Sequence, residues 1–236
     1  VYARQDRLYI KQYEEETNLR LTLLVDRSAS MAYGDGESNK FDYSASVSAC
    51  LAYLALRQKD ATGLYTFDTA IRATVPAKSN QQQLARILSM LESVGADGRT
   101  DLTSVAKQVA QGIPRRGLVL IISDLLGVDN LMEGLQVLRQ RGHDIVLFHV
   151  LHDDEMDFHF NGATRFEGLE TDEFLNCNPR ALREGYLEAL EEFLSSTRRA
   201  CGRLSIEYMQ VRTSEPLDAV LAKFLATRQL LPNLKR

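Results

Sequence analysis

Two short apolar runs, each stopped by an aspartate, set the limits on how this chain can fold. The first, Leu19-Arg20-Leu21-Thr22-Leu23-Leu24-Val25, ends at Asp26; the second, Leu118-Val119-Leu120-Ile121-Ile122, ends at Ser123-Asp124. Apolar runs of this length suit strands buried on both faces, the condition of a parallel sheet covered by helices. They fall well short of the roughly 20 residues that a membrane span needs, so no span is expected in this chain.

The segments between and after these runs alternate in the same sense. Val47, Leu51, Leu54 and Ala55 recur at helical spacing within Lys40 to Arg57, and Asp42 stands in the opening turn, where a carboxylate suits the helix dipole. Gly63–Phe67 and Ala70–Val75, separated by Asp68-Thr69, read as an antiparallel hairpin whose second strand lies at a sheet edge before Pro76. Helices follow near Gln81–Glu92, Leu102–Gln111 and Leu131–Arg141, and a strand at Ile145–Val150. Met156–Leu169 reads as a small β excursion, Pro179–Cys201 as helix, Leu204–Val211 as strand and Pro216–Arg228 as helix. The expected architecture is a doubly wound, Rossmann-like α/β fold with a mainly parallel sheet, one antiparallel edge strand and helices on both faces. With no Pro/Gly-rich or Ser-rich linker, residues 1–236 read as a single domain.

A net charge of −4 gives no overall attraction to nucleic acid or to anionic lipid, and basic pairs such as Arg115-Arg116 read as solvated turns. Cys50, Cys177 and Cys201 are far apart and form no C-x-x-C pair, which fits reduced thiols and a cytoplasmic protein rather than a disulfide framework. The first residues do not form a charged-then-apolar leader.

In an open α/β sheet, ligands bind beyond the carboxyl ends of the strands, where the winding reverses. Asp26 and Asp124 are expected at such ends. Ser28 and Ser30 follow Asp26 at alternate positions, and Thr100 stands on a Gly-containing loop before a helix. Two carboxylates and three hydroxyls are the oxygen donors that a hard divalent cation takes, with Mg²⁺ wanting about six in octahedral array. The D-x-S-x-S pattern alone is weak, because Ser and Asp crowd after strands for turn chemistry. Its strength is the combination with Thr100 and Asp124.

In that three-part pattern the chain resembles the von Willebrand factor A superfamily, with its metal-ion-dependent adhesion site. More narrowly, it resembles the bacterial family called domain of unknown function 58. Residues 2–9, residues 11–18, Asp26–Met31, Phe148–His152, Arg212–Leu217 and Phe224–Arg228 carry that resemblance. It implies Mg²⁺ (or Mn²⁺ or Ca²⁺) at Asp26, Ser28, Ser30, Thr100 and Asp124, and association with a MoxR-type AAA+ ATPase in assembling or activating other proteins. It also implies a further segment ahead of residue 1.

The expected function is metal-dependent binding of a protein partner that offers an acidic side chain, without catalysis. A Mg-dependent hydrolase or phosphotransferase is the alternative, but Ser28 stands where a second acidic residue would follow Asp26, and neither a P-loop nor a G-x-S-x-G elbow is present. A structural module without a metal is a third reading. His149 to His159 is dense in possible transition-metal ligands, yet its irregular spacing and acid run suit a solvated loop. Asp101 can either orient the site or cap the following helix; Arg27 and Tyr33 read as an exposed arginine and a packed tyrosine.

Overall fold

The computed structural model describes residues 19–34, 39–93, 95–127, 131–171 and 173–229. Residues 2–9 and 11–18, which contribute to the family resemblance, lie outside them. The strands are β1 (Arg20–Asp26), β2 (Ala61–Phe67), β3 (Ile71–Lys78), β4 (Leu118–Ser123), β5 (Asp144–Leu151), β6 (Thr164–Glu167), β7 (Phe174–Cys177) and β8 (Glu207–Arg212). The helices are α1 (Lys40–Arg57), α2 (Gln83–Glu92), α3 (Leu102–Gly112), α4 (Leu131–Gln140), α5 (Asp153–Asp157), α6 (Pro179–Arg203) and α7 (Leu217–Gln229).

The main sheet has the order β3-β2-β1-β4-β5-β8, and all its pairs are parallel except the edge pair β2–β3. The chain winds from β1 outward to β2 and β3, then returns to β4 on the opposite side of β1 and continues to β5 and β8. The switch point is therefore the cleft between β1 and β4. Val25 pairs with Ile122, so Asp26 and Ser123 leave the sheet side by side with Asp124 one residue further on.

The uninterrupted apolar runs are explained by burial on both faces. Leu118, Leu120 and Ile122 face the core shared with α1, α2 and α7, while Val119 and Ile121 face the core shared with α3 and α4. Successive residues of a strand point to opposite faces, and here each face is covered by helix, so neither set is polar.

Two expectations need correction. The edge strand does not stop before Pro76 but passes through it to Lys78. An edge position tolerates the missing N–H, and the pairing with β2 is irregular there. The segment from Met156 is only partly β. Asp153–Asp157 is a helix, capped by His152 Nδ1 accepting from Asp154 N and by Glu155 Oε2 accepting from His152 N at 2.7 Å. The β component is the separate two-stranded hairpin β6–β7, whose second strand lies beyond the expected end.

Helices α3 and α4 approach each other closely at Gly134, where a Cβ would lie 2.9 Å from Thr103 Cα and 3.1 Å from Ala106 Cβ. Alanine is favoured over glycine within a helix by about 1 kcal/mol, whereas overpacking a close contact costs about 1–3 kcal/mol. The contact with backbone should win. Gly134→Ala is predicted to lower the urea unfolding midpoint, and an unchanged or raised midpoint would show that the helices separate freely.

Candidate metal centre

The end of β1 and three loops build the site. Asp26 is fully buried, and its two oxygens are held differently: Oδ1 accepts from Ser28 N at 2.8 Å, while Oδ2 accepts from Thr100 Oγ1 at 2.9 Å and from Ser123 Oγ at 2.6 Å. Ser28 Oγ and Ser30 Oγ lie 3.0 Å apart, with Ser30 on the 3-10 turn Ala29–Ala32.

Thr100 is brought in from 74 residues away by backbone pairing of its loop with the one after β1. Asp97 N donates to Arg27 O and Ala29 N to Gly98 O, both at 2.7 Å. Gly98 supplies the left-handed turn this requires, at φ +84°. Asp101 caps α3, accepting from Ser104 N at 2.9 Å, which settles its role. Arg27 is half-buried rather than exposed, its Nε donating to Gly95 O at 2.9 Å. Tyr33 is anchored by its hydroxyl, which donates to Asp154 Oδ2.

The fifth expected residue, Asp124, is in place but already engaged. Its Oδ1 accepts from Leu126 N at 3.1 Å and its Oδ2 from Lys40 Nζ at 2.7 Å. Leu125, between them, takes a left-handed conformation at φ 57°, a strained choice for a branched side chain that turns the chain sharply after β4. Lys40 is completely buried and also bonds Glu155 Oε1 at 2.6 Å. Burial alone would lower its pKa, but the carboxylates of Asp124 and Glu155 together outweigh that and hold it above the ordinary lysine value.

His149 is not on a solvated loop. It is buried in β5, and its Nε2 lies 2.8 Å from Asp124 O, its Nδ1 2.8 Å from Tyr208 Oη. A carbonyl only accepts, so Nε2 carries the proton and Nδ1 accepts from the tyrosine. Burial pushes its pKa down to about 4, which keeps the ring neutral. His149 positions the Asp124 backbone.

Sequence reasoning missed Lys40, Ser123, His149 and Glu155. One local signal was available for Lys40: it opens α1, where the helix dipole disfavours a cation, so its charge needed a partner elsewhere.

Among the described residues no group of three or more His, Cys, Asp or Glu side chains is placed to hold a metal ion. A cation here would therefore rely on hydroxyls as well as carboxylates. The donor set fits a hard cation: Asp26, Ser28, Ser30 and Thr100 converge through oxygen atoms alone, and Asp26 is electrostatically unsatisfied. Burial, and next the charge of Asp124, push its pKa up to about 7, although bonds from Ser123 and Ser28 oppose the shift.

Comparison with known proteins agrees with this fold. The family model described as protein of unknown function DUF58 matches residues 1–193. An uncharacterized protein of Mycobacterium tuberculosis (Rv1480) is 25% identical over 235 residues, covering 97% of this chain and 73% of that protein. Among solved structures, the conserved hypothetical protein BatB from Bacteroides thetaiotaomicron matches with TM-score 0.58 at 14% identity, covering 90% of this chain and 98% of the other. An aerotolerance-related membrane protein from Bacteroides fragilis, crystallised with multiple mutations to serines, matches with TM-score 0.54 at 14% identity, covering 86% and 97%. These likenesses are to the fold: a mostly parallel central sheet with one antiparallel pair and helices on both faces. No helix among the described residues is long and apolar enough to cross a membrane.

Two outcomes follow for the metal-free protein. Lys40→Met strands the carboxylates of Asp124 and Glu155, and removing one partner of a buried pair costs about 3–5 kcal/mol; urea unfolding in EDTA should show that loss, and a cost near zero would contradict the buried pair. Because the folded pKa of Asp26 is raised from 3.8 to about 7, its stabilising contribution is complete below pH 3.8 and is lost as pH rises through 7. Asp26→Asn should therefore gain stability relative to wild type between pH 4 and 7, with the difference constant above. A difference independent of pH would refute the shift.

Proposed function

The chain belongs to the DUF58 family, and we propose that it is a protein-binding module whose cluster at Asp26 holds a divalent cation, Mg²⁺ by preference, and recognises an acidic group on its partner. The fold supports a binding role, since the switch point of a doubly wound sheet is where such folds hold ligands. What carries the metal-dependent reading is the charge balance at the switch point. Asp26, Asp124 and Glu155 bring three carboxylates against the one ammonium of Lys40, all in contact with the same buried region. Two negative charges remain uncompensated when all four groups are ionised. A divalent cation offsets them; without it, Asp26 favours a proton.

When bound, the cation would supply a Lewis-acidic position able to accept a carboxylate oxygen from outside. The protein's own residues do the rest. Asp26, Ser28, Ser30 and Thr100 hold oxygen donors in one place, and the backbone pairing of the loops at Arg27 and Gly98 fixes their spacing. Lys40 restrains Asp124 from one side and His149 from the other. The hydroxyls of Thr100 and Ser123 donate to Asp26 and hold it in place, and the proposed role is recognition rather than catalysis. By the family resemblance, a MoxR-type AAA+ ATPase is the companion expected to act with it.

The test is capture from native lysate by wild type, by wild type in EDTA and by Asp26→Ala. Capture is expected to be lost in both of the latter, with circular dichroism unchanged. Capture that survives EDTA would contradict the proposal.

A further inference from the structure

The β6–β7 connection carries Glu170 onto the rim of this same site. Glu170 O accepts from Arg99 Nε at 2.8 Å, and Glu170 Oε2 accepts from Thr100 N at 3.4 Å, a long bond. On the other side, a Cβ placed at Gly127 would lie 3.6 Å from the same Oε2. The carboxylate is thus seated between the loop that delivers Thr100 to Asp26 and the turn that follows Asp124. Its other oxygen, Oε1, is buried with no hydrogen-bond partner among the described residues.

A buried carboxylate oxygen without a donor is costly, and the cost is removed by a proton donor or a cation. Among the described residues no donor reaches it, and the carboxylate lies against the loop that delivers Thr100 Oγ1 to Asp26. The hairpin has other means of attachment, since its strands pair with each other and Arg99 grips its backbone. A charged side chain folded inward is not needed to hold it.

We propose that Glu170 is a further oxygen donor to the cation, delivered in cis, and that it holds the place a partner's carboxylate must take. This rests on the reading of the Asp26 cluster as a metal centre. It makes the hairpin a self-ligand: partner binding requires Glu170 to leave, so the two carboxylates compete for one coordination position. Competition of this kind shifts a population only by the difference in affinity between the two carboxylates.

The test uses the full chain and metal alone. Europium(III) substitutes for a hard divalent ion, and its luminescence lifetimes in H₂O and D₂O count the waters bound to it. Glu170→Ala should carry about one more bound water than wild type and bind Mn²⁺ about tenfold more weakly. Glu170→Gln keeps an oxygen for Thr100 N but not the charge, and it should weaken Mn²⁺ binding in the same direction, which a purely structural role would not do. Unchanged hydration and affinity in variants that still bind the ion would overturn the proposal and leave the metal centre standing. Absence of binding by wild type would overturn both.

Discussion

Asp26 and Asp124 are buried beside each other at the ends of two adjacent strands, and the surroundings are organised around that repulsion. Two carboxylates in a water-poor cleft are unfavourable unless protons, donors or cations answer them. The structure supplies each kind of answer in part. Ser28, Ser123 and Thr100 donate to Asp26, Leu126 N and Lys40 donate to Asp124, and Asp26 is driven toward its protonated form. The sheet fixes the aspartates; the loops and Lys40 respond to them.

The segment between β5 and α6 is tied to the same centre. Glu155 on α5 receives the second bond from Lys40, and its carbonyl accepts from Tyr186 on α6 at 2.9 Å. Glu170, between β6 and β7, touches the loop of Thr100. Strands β6 and β7 themselves are largely exposed, but Lys40 joins Asp124 to Glu155 on α5, and His149 joins it to Phe193 on α6.

Much of this was legible in the sequence because the signals are local. Each buried strand is a continuous run of β-favouring residues closed by a polar one, and α1 announces itself by periodicity. Asp26, Ser28 and Ser30 followed from their alternate spacing after a strand, whereas Thr100, 74 residues away, was expected chiefly from the family resemblance. What escaped was long-range or masked by local appearance. Lys40 meets Asp124 across 84 residues and Glu155 across 115, and no periodic pattern encodes such a pairing. The acid run after His152 looked like a solvated loop, yet acidic residues in a first helical turn complement the dipole, and His152 closes the cap with Glu155. His149 looked like a ligand candidate, but its burial in β5 turns it into a brace for Asp124.

The central claim is that this charge cluster is completed by a divalent cation. Isothermal titration of the protein at pH 8 with Mg²⁺ and then Mn²⁺ tests it most directly. The account predicts saturable binding at one site, accompanied by release of protons that increases as the pH is lowered toward 7, and loss of the signal in Asp26→Ala. A flat titration with folded wild-type protein would contradict it.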